Sequence, residues 1–532
     1  MKILVVLFSL CYVFNSIESY KVLVYTPLLG HSHVKFMGSI ADTLAEAGHD
    51  VTVLMPLLEV KNGNKTGVTL VKKVILYPGD ERSVELMNKL GGTQEESGEF
   101  NSWKPMPSSS SMIEMLGMMS DIVKFQCQKM MNDKELLDKL GAEKFDLGIA
   151  EPIGICQFVL FDELQIPATI AAESTAPMPM ISRIIGEPQL VSNVPGLLSE
   201  FGDKMTLAQR AMNLAGSLFG FYFANLIFTK ELDSIENVVG KKEYAELISR
   251  ASYVFVNSHP YLDFPFPALP KTVLIGGITV SPKSKNSELS EKWQEILSRR
   301  SKNVLISFGS NVRSMDMPEE YRQSFFKMFK SMPDTTFIWK FEKTNATIAD
   351  AYDNVVLTKW MPQTELLADP RLTLFITHGG LGSSIELAHS GKPAVVVPVM
   401  GDQKRNAEML LRHEVALPLQ KEDLENADKL INTVREVINN DKYRKRAERL
   451  AEILKSRPTS SKDMVIKHAE FAAKFGKLPE LDSYGRHLNV FQYYLIDVMA
   501  LLVAVIIVIL IILKFAFKLI KKFCCSRKEK KE

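Results

Sequence analysis

From Val498 to Leu513 the chain carries no charged or strongly polar side chain, and with its flanks Leu495 to Phe517 the apolar run reaches about 23 residues. A run of that length spans a hydrocarbon core of about 30 Å as a helix. Tyr493 and Tyr494 stand where an interfacial aromatic belt would lie. Lys518, Lys521, Lys522, Arg527 and Lys528 follow, and such an excess of cations places its flank in the cytosol. A core helix of a large enzyme would not continue into this tail. The expectation is a single-pass chain with its body in the lumen and its C-terminus in the cytosol.

The other end agrees. Met1-Lys2 precedes an apolar run from Ile3 to Phe14 and the small or polar residues Ser16 to Ser19, the pattern of a secretory signal peptide. The competing reading is a buried first strand. Cleavage near Ser19 would remove Cys11 and leave Tyr20 as the mature N-terminus. Asn64-Lys65-Thr66 and Asn345-Ala346-Thr347 fit the glycosylation sequon, and both fall on the lumenal side. Cys127 and Cys156 are then the lumenal cysteines; they pair or stay as two buried thiols, and spacing does not decide. Cys524 and Cys525 sit where palmitoylation occurs.

Charge removes one class of partner. Residues 514–532 carry eight Lys/Arg against two Glu, while the whole chain is only +2, so the lumenal body is net acidic and unsuited to nucleic acid. A hydrophobic content of 46% against 24% charged excludes wholesale disorder, and 532 residues call for two to four domains.

Two strand–helix–strand beginnings define the body. Lys21 to Thr26 is a Val-rich buried strand, Val34 to Ala47 has helical spacing closed by Gly48, and Asp50 to Met55 is the next strand. The pattern restarts at Asn303 to Phe308, with a helix from Glu319 to Met332 and a strand from Thr336 to Lys340. Leu374 to Thr377 and Pro393 to Pro398 read as further strands around a helix from Ser383 to Ser390. Alternation of this kind builds doubly wound α/β domains. Lys283 to Lys302 is a charged linker, helical in its second half, and Ser108 to Met119 reads as a loop entering a helix. Met205 to Phe228 is apolar and aromatic but interrupted by Arg210 and Asn213, so it is expected as a core or membrane-resting helix rather than a second span.

The chemistry concentrates between Trp360 and Gln403. His378 follows a strand, Gly379 and Gly380 turn the chain, and Ser383 opens a helix whose free N–H groups attract phosphate. Glu386, one turn in, can accept from ribose hydroxyls, and Asp402 with Gln403 follows the next strand at the same sheet edge. The stretch GGLGSS lacks G-x-G-x-x-G spacing, and no Gly-Lys-Ser/Thr is present, which argues against a dinucleotide fingerprint or a P-loop.

This constellation resembles the signature of the UDP-glycosyltransferases, and the signal peptide, span and basic tail make the animal UDP-glucuronosyltransferases the nearest match, over essentially the whole chain. The resemblance implies a GT-B fold: two Rossmann-like domains facing across a cleft, acceptor side N-terminal and donor side C-terminal. It implies that Trp360 packs on uracil and Gln363 contacts the nucleoside. His378, Gly380, Gly382 and Ser383 would hold the diphosphate, Glu386 the ribose, Asp402 and Gln403 the sugar, and Ser310 a further nucleotide contact. Gly382 departs from the family, where many relatives carry asparagine; a glycine still offers its N–H. His33 matches the catalytic base, with His31 its local competitor, because an imidazole titrates where a hydroxyl proton must be taken. Glu151 stands where the family has an aspartate that holds the imidazole. Asp146 is assigned to the strand entrance. The Lys528 to Glu532 tail resembles a dilysine retrieval signal, with an ordinary stop-transfer flank as the alternative.

The domain plan is a signal peptide over 1–19, an acceptor-binding domain over 20–285 and a UDP-sugar domain over 286–455. A return helix and membrane-proximal segment follow over 456–494, then the span over 495–517 and the tail over 518–532. The expected activity is inverting transfer of glucuronate or glucose from UDP to a hydroxyl of a lipophilic small molecule at the endoplasmic reticulum membrane. No metal cluster appears, so no cofactor is expected beyond the UDP-sugar, and homo-oligomers are compatible with the sequence. The resemblance places an arginine for the glucuronate carboxylate near Val256-Asn257-Ser258, where this chain has none, so UDP-glucose stays a rival donor. A catalytically silent binder of UDP-sugar or hydrophobic ligand is the alternative of a different class, favoured by Glu151 and opposed by His33. A GT-B epimerase would need no membrane anchor.

Overall fold

The computed structural model describes residues 18–59, 65–91, 101–104, 109–280, 289–343 and 351–528. The signal-peptide segment through Ile17, the sequon residues Asn64 and Asn345, and the tail from Glu529 lie outside the described residues.

Seven strands form the first sheet: β1 (Lys21–Tyr25), β2 (Asp50–Leu57), β3 (Lys73–Pro78), β4 (Leu147–Ala150), β5 (Ala168–Glu173), β6 (Tyr253–Val256) and β7 (Thr272–Leu274). Their order is β3-β2-β1-β4-β5-β6-β7, and every pairing is parallel. Six strands form the second: β8 (Lys302–Ser307), β9 (Thr335–Lys340), β10 (Val355–Thr358), β11 (Leu372–Thr377), β12 (Ala394–Val396) and β13 (Ala416–Pro418). Here the order is β10-β9-β8-β11-β12-β13, again all parallel. Central strands of a parallel sheet are covered on both faces, which is why β4 and β9 are buried at every residue. Each sheet reverses direction once, between β1 and β4 and between β8 and β11, and the crossover helices diverge there to leave a crevice at the carboxyl ends.

The chain returns to the first sheet after the second. The Ser461–Phe475 helix buries Val465, Ala469 and Ala472 among the residues of β1, β2 and the His31–Glu46 helix. Lys271, at the entrance to β7, donates to the Ser249 carbonyl at 2.8 Å and pairs with Asp482 at 2.5 Å, pinning the segment that leads to the last helix. That helix, Ile496–Lys528, is long and apolar enough to cross a membrane, and its span 496–522 buries nothing against the body.

Three expectations shift. The helix after β11 begins at Leu381, so Ser383 lies inside its first turn rather than opening it. The strand expected over Pro393 to Pro398 is confined to Ala394–Val396. The segment from Ser108 is already helical at Ser109 and runs to Met131. The apolar stretch from Met205 is helical as expected, within a 33-residue helix, Leu207–Val239, whose C-terminal half packs into the core. Cys127 and Cys156 form a disulfide between the Ser109–Met131 and Cys156–Glu163 helices.

The two halves are joined by a buried ion pair. Arg405 donates to Asp263 at 2.7 Å and to the Pro195 carbonyl at 3.2 Å. Both side chains are almost fully enclosed. Removing one partner strands the other charge, so Arg405→Ala is expected to cost about 3–5 kcal/mol. Chemical denaturation of the detergent-solubilised full chain checks this; a loss below about 1 kcal/mol, the scale of an exposed pair, would show the contact to be solvated.

Candidate active site

Both crevices are furnished from strand ends. Past β1 the chain turns at Gly30, whose φ of 70° suits glycine, and enters the His31–Glu46 helix with His33 in its first turn. A Cβ on Gly30 would stand 3.1 Å from the His33 ring. Glu151 directly follows β4, the strand hydrogen-bonded to β1 across the reversal. His33 Nδ1 lies 3.0 and 2.9 Å from the two carboxylate oxygens of Glu151, so the carboxylate assigns the ring proton to Nδ1 and leaves Nε2 as the basic nitrogen.

The next two strand ends hold that carboxylate. Ser174, after β5, donates its backbone N–H to Glu151 Oε1 at 3.0 Å, and its hydroxyl contacts the same oxygen and lies 2.7 Å from His33 Nδ1. Asn257, after β6, donates to the Ser174 carbonyl at 2.9 Å. Burial opposes a charge on His33, but the Glu151 carboxylate outweighs it, aided by Asp402 and Glu59, and the imidazole titrates above its ordinary range. Asp146 stands where expected, accepting from the Lys21 N–H at the entrance to β1.

The second crevice is built around His378, which follows β11. Its ring lies between Gly309 and Gly380, where a Cβ would come within 2.7 and 2.6 Å of it, and Gly309 has a φ of 84°. His378 Nδ1 is buried without a hydrogen-bond partner. Burial and the nearby Lys340 ammonium hold the imidazole down at about 4, so it is neutral at physiological pH. The Leu381–Ser390 helix starts beside it, N-capped by Gly380, with no acidic residue in its first turn and open space around Gly382. The first N–H groups of a helix have no partner within it, an arrangement able to accept an anion.

Glu386 accepts from Gln363 at 2.8 Å and Thr364 at 3.1 Å, and Gln363 also donates to Ser383 at 3.1 Å. Asp402 accepts from Asn406 at 2.9 Å, and Asn406 donates to the Gly379 carbonyl at 3.0 Å, tying the two loops. Gln403 uses its side-chain carbonyl to hold the Val399 and Met400 N–H groups, at 2.8 and 3.0 Å, which leaves its NH2 as the group able to serve a ligand. Ser310 is exposed just past β8. Trp360 is 52% exposed, a broad apolar face with no core function.

Residues of the first half reach into the second. Lys35, two positions after His33, pairs with Glu386. His31 meets the Trp360 ring edge-on with centroids 5.5 Å apart, and the Lys65 ammonium stands 4.0 Å above that ring. His31 therefore belongs to the far wall rather than to the Glu151 pair. Sequence reasoning did not find Lys35, Ser174, Asn257, Lys340 or Asn406. Lys340, buried at the end of β9 and bonded to the Gly309 carbonyl, carried a signal in retrospect: a lysine closing an apolar strand requires a partner at the sheet edge.

Comparison with known proteins gives a consistent answer. The family model described as "UDP-glucoronosyl and UDP-glucosyl transferase" matches residues 20–531. The Caenorhabditis elegans protein ugt-47 is 26% identical over 93% of this chain and 92% of its own length. UDP-glucuronosyltransferase 1-2 of Rattus norvegicus is 27% identical over 93% of this chain and 90% of its own. Among solved structures, the glycotransferase of kitacinnamycin superposes with a TM-score of 0.59 at 16% identity, covering 86% of this chain and 99% of that one. A Phytolacca americana enzyme complexed with UDP-2fluoro-glucose and pterostilbene gives 0.56 at 17%, covering 86% and 99%. These two share the fold, two Rossmann-type sheets in the GT-B arrangement.

The His33–Glu151 contact makes a measurable statement about titration. With a folded pKa above the ordinary 6.5, protonation of His33 stabilises the fold fully below that value, and the contribution fades as pH rises through the lifted one. Glu151→Gln removes the compensating charge while burial remains, so the imidazole should titrate lower than in the wild type, followed by NMR of the ring protons. An unchanged midpoint would show that the carboxylate does not govern His33.

Proposed function

Because this chain belongs to the UDP-glucuronosyl and UDP-glucosyl transferase family, enzymes that move a sugar from a UDP donor, we propose that His33 is its catalytic base and Glu151 the residue that orients it. The single observation that carries the reading is the His33–Glu151 contact at 2.9 Å, made at the reversal of the first sheet, with Asp402 of the second half among the groups that lift the imidazole. The acceptor hydroxyl gives its proton to His33 Nε2 as its oxygen attacks the anomeric carbon from the face opposite the leaving UDP. Glu151 stabilises the imidazolium that forms. Inversion follows from this single displacement.

On the donor side the reading assigns Trp360 to uracil, Gln363 to the nucleoside, Glu386 to the ribose and Ser310 to a further nucleotide contact. The diphosphate goes to His378, Gly380, Gly382 and Ser383, and the sugar to Asp402 and Gln403. The ribose hydroxyls then take the place of Lys35 on Glu386, and uracil displaces Lys65 from Trp360. The negative charge building on departing UDP is met by the helix N-terminus, the His378 ring and the Lys340 ammonium behind it. Nothing in this sequence of steps calls for a metal ion.

The acceptor is a lipophilic molecule with a free hydroxyl, as the family resemblance implies. The donor is UDP-glucuronate or UDP-glucose; Asn257, occupied by Ser174, and its neighbour Ser258 offer no cation to a glucuronate carboxylate. The body lies in the endoplasmic reticulum lumen, with the Ile496–Lys528 helix as type I anchor and the basic end in the cytosol.

Microsomes offered a phenol panel with each donor separately should form conjugate with the wild type. His33→Ala should cut the rate by roughly 10²–10⁴-fold, the usual worth of a general base. Equal turnover by both proteins would remove His33 from the chemistry, and no turnover with any donor would favour a silent binder. In the wild type the rate should rise with pH through the lifted His33 value, since only the neutral imidazole accepts a proton.

A further inference from the structure

The core of the second sheet is completed by a tryptophan from the first half. Trp103 is 1% exposed. The buried side chains it joins, from Val304 to Tyr443, all belong to the donor-side half. Its indole meets Phe308 edge-on with centroids 4.9 Å apart and Tyr321 at 6.4 Å. The indole Nε1 donates to the Arg313 carbonyl at 2.9 Å. Asn101, Ser102 and Lys104 around it are polar, so one aromatic ring is carried into the other half's core by a hydrophilic piece of chain.

These neighbours grip the same target. Asn101 accepts from the Trp103 N–H at 3.0 Å and donates its amide to the Asp316 carbonyl at 3.0 Å. Lys421 of the donor-side half donates to the Ser102 and Lys104 carbonyls at 3.0 and 3.3 Å. The Ser102 hydroxyl lies 3.1 Å from the Met400 sulfur, two residues before Asp402.

What they hold is the stretch 308–316 that leaves β8. Apart from the short turn Ser314–Asp316 it is neither helix nor strand, so side contacts decide where it stands. Trp103 and Asn101 fix it on one side. Lys340 fixes it on the other, bonded to the Gly309 carbonyl, while Ser314 donates to the Lys340 carbonyl at 2.8 Å. Between the two grips lie Ser310 and Gly309, against which the His378 ring rests. Asn311 reaches the other crevice: its Nδ2 lies 4.0 Å from where a Cβ on Gly30 would stand, at the turn leading to His33.

We propose that Trp103 is a positioning residue of the donor site. Through it the acceptor-side half sets the backbone around Gly309 and Ser310 for the nucleotide, and the enclosed indole acts only by way of Phe308 and Arg313. The proposal rests on the reading of the second crevice as the UDP-sugar site. The bracing is shared with the first crevice. Beyond Trp103 the chain enters the Ser109–Met131 helix, which the Cys127–Cys156 disulfide ties to the Cys156–Glu163 helix, and Gln157 of that helix bonds the Glu151 carbonyl.

The test compares the detergent-solubilised full chain as wild type, Trp103→Ala, Trp103→Phe and Lys421→Ala. Calorimetry gives the affinity for UDP, and conjugate formation gives kcat and the KM values for donor and phenol acceptor. Trp103→Ala should weaken UDP binding and raise the donor KM on the order of tenfold, below the 10²-fold that a misplacement of about 1 Å can cost. The acceptor KM and the pH midpoint set by His33 should not move. Trp103→Phe should regain most of the loss, because it fills the core beside Phe308 and lacks only the Nε1 bond. Lys421→Ala leaves the core intact and loosens the segment from outside, so the donor KM should rise about threefold, the scale of a lost hydrogen bond. An unchanged donor KM in Trp103→Ala, or an acceptor KM rising in step with it, would reduce Trp103 to a packing residue and overturn the proposal. If Trp103→Ala does not fold, Lys421→Ala decides alone, and a wild-type donor KM there overturns it. A wild type that binds no UDP is a separate result, which removes the donor reading beneath the proposal.

Discussion

In an open parallel sheet the helices leaving two adjacent strands go to opposite faces only where the strand order reverses, and there the carboxyl ends stand bare. Everything chemical in this protein hangs on that constraint applied twice. β1 and β4 place His33 and Glu151 at one reversal, and β8 and β11 place Gly309 and His378 at the other. Because the halves are joined by contacts such as Arg405–Asp263 and by the returning Ser461–Phe475 helix, the two bare edges are held facing one another. The nearness is read in the electrostatics: Asp402 of the second half contributes to the lifted titration of His33 in the first.

The supporting residues explain how a glutamate is held at position 151, where the resemblance implies an aspartate. A longer side chain must be steadied, and the next two strand ends do so: Ser174 bonds the carboxylate through its N–H and hydroxyl, and Asn257 bonds Ser174. Both oxygens of Glu151 then stay within reach of His33 Nδ1. The opposite electrostatic choice is made at His378, where burial and Lys340 keep the ring neutral and its Nδ1 unpartnered. One histidine is tuned to hold a proton and the other to stay neutral, which suits the roles of base and phosphate ligand proposed for them.

Local pattern made part of this legible. β1 and β8 announce themselves as Val- and Ile-rich runs closed by glycine turns, and the spacing from Trp360 to Gln403 carries the donor crevice. Contacts between distant positions were not legible: Lys35 reaches Glu386 across 351 residues and Ser174 reaches His33 across 141, and no local periodicity encodes such pairs. The helix start at Leu381 was misjudged because Gly382 reads as turn material, although a glycine in a first turn is cheap where nothing crowds it. The disulfide could not be chosen from two cysteines and a spacing; it needed the Ser109–Met131 helix laid beside the Cys156–Glu163 helix. The Leu207–Val239 helix is a core helix at its C-terminal end, while Leu207, Leu214, Leu218 and Tyr222 of its first half are exposed.

The central claim is that the two reversals share one substrate. A crystal structure with an unreactive UDP-sugar bound tests it directly. The account predicts the diphosphate against the N–H groups from Gly380 to Ser383, uracil on Trp360 in place of the Lys65 ammonium, and the anomeric carbon turned toward His33 Nε2. A diphosphate seated elsewhere, or an anomeric carbon turned away from His33, would contradict it.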